Sequence, residues 1–203
     1  MNNLEKLKNK KVVVRAMMLF WVNFFAIVVI HNLTGRAGLH IDYSISKYVG
    51  LSFPSAIAFL IVNTFVALSM WKYLKPKLED KVQRGLMLYI VITLILLSLF
   101  PIGLFDEIIP SPIVFGRTPI SFLHVITSRT MFVAMCAFAL YTFYAGRRKS
   151  LHDETTIKTT LAFFIYSALC TFAFIFFSEF FWSIDVIFES LYIAFFFIVV
   201  LAF

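Results

Sequence analysis

The sequence predicts an all-α, polytopic membrane protein of six transmembrane helices with both termini cytoplasmic. Three observations carry that prediction. Of the 203 residues, 61% are hydrophobic and only 14% charged, whereas soluble domains run nearer about 45–50% and 25%. The apolar residues fall in six long runs, each close to the roughly 20 residues that a hydrocarbon core of about 30 Å requires. Lysine and arginine cluster in alternate connections, and short loops rich in them stay in the cytoplasm. The same composition excludes a soluble core and an intrinsically disordered chain, which needs low hydrophobicity and high charge.

Along the chain, residues 1–11 form a basic cytoplasmic N-terminus and residues 12–203 a single transmembrane domain. The first span runs from Val12 to His31. A basic stretch before an apolar run also describes a signal peptide, but Asn32-Leu33-Thr34-Gly35-Arg36 offers no Ala-x-Ala-like cleavage site, so the helix is read as retained. Asn32-Leu33-Thr34 is also a formal glycosylation acceptor, relevant only to a eukaryotic source. The connection from Asn32 to Ser52 is too apolar for a floppy linker, and Leu39 to Leu51 is expected to lie in the interface or re-enter the protein. The second span runs from Ser52 to Tyr73 and the third from Gly85 to Phe105. Between Asp106 and Pro119, Pro110, Pro112 and Pro119 make a stiff, non-helical segment. The fourth span runs from Ile120 to Tyr144, the fifth from Thr159 to Trp182 and the sixth from Ile184 to Phe203. The last two form a helical hairpin across a tight Trp182–Asp185 corner.

Charge sets the orientation. Fourteen of the 18 basic residues lie before span one, between spans two and three, or between spans four and five. Arg36, Lys47 and Arg117 lie on the other side, and Arg129 falls inside span four. With the acids counted, the cytoplasmic side carries +9 and the outer side −3, which with Arg129 gives the net +7. A basic face of this kind meets anionic lipid head groups of the plasma (inner) membrane, and nucleic acid is not needed to explain it.

The chain has no Gly-x-x-x-x-Gly-Lys-Ser/Thr, Gly-x-Ser-x-Gly or His-Glu-x-x-His motif, so the usual nucleotide, serine-hydrolase and zinc-protease chemistries have no starting point. Cys136 and Cys170 read as small apolar fillers. A bis-histidine haem would have to use His31 and His124. No cofactor follows from the residues, and protein partners are left open.

What remains is a layer of ionisable groups in the outer half of the bilayer, where such groups are costly and usually face a partner or a cavity. At 1.5 Å per residue, His124 lies roughly 6 Å below the outer end of span four, Arg129 roughly 14 Å, and Glu189 roughly 8 Å below the top of span six. His124 and Ser128 share a helix face, as do Asp185 and Glu189, with Tyr192 three residues on. Glu179 sits near the top of span five, and Asp106 caps span three. Ser46 and Tyr48, in the first outer loop, roof the layer. Three readings stand side by side: a structural network in which Arg129 pairs with Glu189 or Glu179 and His124 hydrogen-bonds a carboxylate; a pocket for a small polar molecule or lipid head group; and a catalytic site. In the last, His124 and a carboxylate, Glu189 first, act as general acid and base or hold a metal. Asn23 and Asn63, mid-span amides, read as interhelical hydrogen-bonding groups.

At these residues the chain resembles a family. Tyr43-Ser44-Ile45-Ser46-Lys47-Tyr48-Val49-Gly50 resembles the Ser-x-x-Gly-type segment of the six-helix prokaryotic membrane proteins grouped as domain of unknown function family 998. Phe100-Pro101 followed by Asp106 is similar to that family's Phe-Pro-x-Asp, with Asp106 five residues after the proline rather than two. Leu123-His124 ahead of Met131-Phe132 looks like its His-bearing helix, and Glu189 to Tyr192 like its closing Glu-containing helix. The resemblance implies a membrane protein of unassigned biochemistry. Six spans and about 200 residues also describe substrate-binding subunits of energy-coupling-factor transporters, but span one offers only Ala16 and Ala26 where those carry an Ala-x-x-x-Ala pattern.

Overall fold

The computed structural model describes residues 3–37, 40, 43–78, 80–101, 119–149, 152–176 and 184–203. Every regular element among them is a helix: α1 (Asn3–Leu33), α2 (Ile45–Gly50), α3 (Phe53–Leu74), α4 (Lys81–Leu99), α5 (Pro119–Lys149), α6 (Glu154–Phe176) and α7 (Asp185–Ala202). Five of them, α1, α3, α4, α5 and α6, are long and apolar enough to cross a membrane. With 18 residues, α7 extends about 27 Å.

Helix ends fall where local chemistry satisfies the orphan backbone groups. Ser52 caps α3 by accepting from the Ser55 N–H, and Asp80 caps α4 by accepting from the Val82 N–H. Just beyond α1, Gly35 has a φ of +68° that lets the Arg36 and Ala37 N–H groups turn back to the His31 carbonyl, a backbone conformation that costs glycine no steric penalty. The third apolar run was expected to stay helical to Phe105, but α4 stops at Leu99. Pro101 explains this, since it supplies no N–H and pushes the residue before it out of helical conformation; Phe100 has φ −124° and ψ 62°.

The long helices form a closed ring, each packing on the next in the order α1, α3, α4, α5, α6, α7, with α7 returning to α1. Their directions alternate. At one end Gln83, starting α4, donates to the Thr142 hydroxyl late in α5, Thr156 of α6 donates to the Ala202 carbonyl of α7, and Lys77 after α3 donates to the Phe203 carbonyl. At the other end His31 of α1 meets Ser55 of α3. The first of these is the basic end. α2 sits at the opposite end, packed against α1, α3 and α7, with Ile45, Tyr48 and Val49 buried. Residues 43–51 of the apolar loop therefore enter the mouth of the bundle instead of lying along its surface.

Apolar side chains both fill the ring and cover it, as a lipid environment requires. Met18, Val22, Phe25 and Val29 are exposed at helical spacing along α1, while Phe20, Phe24 and Ile27 are buried. Inside, Phe20 meets Phe59 and Phe197 with ring centroids 5.5 and 5.7 Å apart, and Phe196 meets Phe138 and Phe163 at 6.2 and 5.7 Å. Such pairs add about 0.5–1.5 kcal/mol each beyond area burial. Two of the three consecutive phenylalanines of α7 are thus core residues that join it to α1, α5 and α6.

Candidate functional site

Ending α4 at a proline creates the first component of the site. The Phe100 carbonyl is released from the helix ladder, and His124, one turn into α5, takes it up with Nδ1 2.6 Å from the oxygen. A carbonyl can only accept, so Nδ1 carries the proton. In the neutral ring Nε2 is then an acceptor. The bond also ties the start of α5 to the end of α4, and His124 is buried. Its partner is a main-chain carbonyl, not the carboxylate that a structural network would have supplied.

α2 supplies the second component. Six residues do not make a stable helix unaided, and this one is held from outside. Ser44 accepts from the Lys47 N–H, and Glu189 of α7 accepts from the Ile45 N–H through Oε2 at 2.8 Å, placing a carboxylate at the positive end of the helix. Tyr48 anchors the other flank, its hydroxyl donating to the His40 carbonyl and accepting from the His40 N–H. These contacts turn Ser46 inward, beside the Ser44 hydroxyl at 3.0 Å.

The third component is Asn63, mid-way along α3 and 3% exposed. Its Nδ2 donates to the Leu94 carbonyl of α4 at 2.9 Å and to the Ser98 hydroxyl, while Ser98 spends its own proton on Leu94. Asn63 Oδ1 has no hydrogen-bond partner.

These components border one cavity on the ring axis, of about 60 Å³. Ser46, His124, Ser128, Glu189 and Asn63 all line it, against apolar walls that include Phe20, Phe59 and Phe132. A water needs about 10–15 Å³, and a 150 Å³ cavity admits benzene, so there is room for a few waters or one very small solute.

The other residues singled out in the sequence lie elsewhere. Arg129 is on the exposed face of α5 and does not line the cavity. Tyr48 is in the buried core behind Ser46, packed on Phe24 and Tyr43. Tyr192 is buried between Phe132 and Phe163 and donates to the Phe132 carbonyl at 3.3 Å, next to the cavity wall without facing it. Asp106 and Glu179 lie outside the described residues, as does the side chain of Asp185. Asn63 was expected only to join helices; it does so and also faces the cavity, and the signal available in the sequence was a lone amide in an otherwise apolar span. Asn23, its counterpart on α1, leaves Nδ2 unpartnered in the interior.

Among the described residues no group of three or more His, Cys, Asp or Glu side chains is placed to hold a metal ion. No protein-family model matches the chain, nor does any curated protein or solved structure.

Proposed function

We propose that the chain is a six-span protein of the plasma (inner) membrane with both termini cytoplasmic, whose axial cavity binds a small polar molecule from the outer side. The convergence of Ser46, His124, Ser128 and Glu189, from three separated segments, on one cavity carries this reading. Polar groups buried in a bilayer are expensive, and grouping them around a shared space is what a binding site requires. The cavity volume favours a small molecule over a whole lipid head group.

The six-span count is supported by α7 reaching both ends of the bundle: Glu189 meets α2 at one end and Phe203 meets Lys77 at the other. The cytoplasmic assignment of that second end rests on its basic residues. Membership of domain of unknown function family 998 belongs to the same proposal. Its motif segments at Tyr43–Gly50, Phe100-Pro101, Leu123–Phe132 and Glu189–Tyr192 meet around the cavity.

Native mass spectrometry of the protein released gently from detergent tests the binding site. A small adduct should survive on the wild type and be lost in Ser128→Leu, which fills the cavity. An adduct equally retained in that variant would count against the site.

A further inference from the structure

Among the described residues the ways into the cavity are covered. Further along α5 and α7, toward the basic end, the ring is filled by Phe138, Phe163 and Phe196, all fully buried, with centroids 6.2 and 5.7 Å apart where Phe196 meets the other two. Around the cavity stand long helices, each packed along the next. Over it lies α2, a single helix thick: Ile45, Ser46 and Val49 line the cavity, while Lys47 is exposed.

α2 is also built as a separable unit. Extended residues bracket it, Ser44 with ψ 159° and Ser52 with φ −157° and ψ 148°, so it can turn without unwinding α3. It is held by side chains from outside its own ladder. Glu189 accepts from the Ile45 N–H at 2.8 Å, and the Tyr48 hydroxyl bonds the His40 carbonyl and N–H at 2.7 and 2.6 Å. Six residues are too few to persist as a helix alone, and elements with so little support of their own are the ones that open locally.

We infer that α2 is a lid, which turns about Ser44 and Ser52 to admit a small molecule from the outer side and closes over it. Closure of this kind shuts water out of a site and retains what has entered. Glu189 belongs to both parts, since it holds the first N–H of the lid and lines the cavity beneath it; opening the lid therefore changes the cavity wall. This inference rests on the cavity being a binding site reached from the outer side, and adds how access to it is controlled.

The experiment is a thiol-accessibility measurement on the detergent-purified full-length protein. Ser128→Cys places a thiol in the cavity wall under α2, in a Cys136→Ala background that keeps Cys170, buried in α6, to report general loosening. Methyl methanethiosulfonate transfers its methylthio group to the thiol, releasing methanesulfinate and a proton, and peptide mass spectrometry follows both cysteines. Tyr48→Phe keeps the ring and removes the bonds to His40; it should speed labelling at position 128 about tenfold, the scale of one to two hydrogen bonds, and leave Cys170 unchanged. Ile45→Pro should do the same, because proline suits the first helical position after an extended residue but lacks the N–H that Glu189 takes. If either variant does not fold, the other decides. Labelling at position 128 as fast as at Lys47→Cys with α2 unaltered, or unchanged by both variants, would overturn the lid and leave the binding site standing. Equal acceleration at Cys170 would overturn the lid in favour of general loosening. No labelling at position 128 in any variant would overturn both the lid and access from the outer side.

Discussion

A single carbonyl shows how much one residue position controls. Phe100 presents its oxygen to the interior because Pro101 ends the helix, and His124 meets it at 2.6 Å. The imidazole thus has two separable duties, a structural one at Nδ1 and an acceptor one at Nε2. Asparagine places an N–H near the Nδ1 position and lacks the second nitrogen. His124→Asn is therefore expected to melt close to the wild type, because it keeps a donor for the Phe100 carbonyl. His124→Leu strands the Phe100 carbonyl and should lose about 1–3 kcal/mol of stability. Differential scanning fluorimetry of both variants checks the pair; equal melting of the two would remove the structural duty.

At the scale of elements, α2 and the start of α6 show short-range chemistry acting on whole helices. With only six residues, α2 depends on Glu189 reaching across from α7. Glu189→Ala should accelerate amide exchange over residues 45–50 by about tenfold or more, the equivalent of one lost charge-assisted hydrogen bond, whereas Glu189→Gln should leave it near wild type. Mass-spectrometric hydrogen exchange in detergent reads both. At the basic end Asp153 occupies the N-cap position of α6, with Oδ1 3.0 Å from the Thr156 N–H. Hydrogen bonding from Thr156, whose N–H is 3.0 Å from Oδ1, holds the Asp153 carboxyl below the usual carboxylate range. A depressed folded value makes the contribution complete above the unfolded pKa of about 3.9, and it is lost as pH falls through the lower folded value. The melting difference between wild type and Asp153→Asn should therefore be level from pH 7 to about 5 and change only below about pH 4. Asp153→Ala should cost about 0.5–2 kcal/mol at neutral pH. A difference that drifts through pH 6–7 would show that other groups govern it.

For the whole molecule the decisive property is which end faces the cytoplasm. In a background with Cys136 and Cys170 replaced by alanine, the positions of Lys47→Cys in α2 and Lys81→Cys at the start of α4 lie at opposite ends and are both exposed. A membrane-impermeant maleimide on intact cells should label the first and reach the second only after permeabilisation. A tag placed after Phe203 should behave like residue 81, because Lys77 and Phe203 meet. The reverse pattern would invert the topology, and a tag exposed on intact cells would reduce the spans to an odd number.

What the sequence determined by itself was the class of solvent and the axis of the molecule. Runs of about 20 apolar residues are meaningful without any partner, because lipid thickness alone selects them, and the basic connections order the ends by the same one-dimensional logic. The face shared by His124 and Ser128 was legible too, since four residues bring a helix to within about 40° of the same direction. Only the tertiary structure decided which face of each helix points inward. Arg129 is one residue beyond Ser128 yet about 140° round the helix from His124, and in a bilayer both faces of a span are apolar, so no amphipathic pattern announces the difference. The same holds for Asn63, whose role depends on Leu94 and Ser98 about 30 residues away, and for α2, which is a helix because Glu189, 144 residues further on, caps it. Local chemistry wrote the spans. The closure of the ring brought separate polar groups around one space, because hydrogen-bonding partners and cavities belong to positions in three dimensions and not to neighbours in the chain.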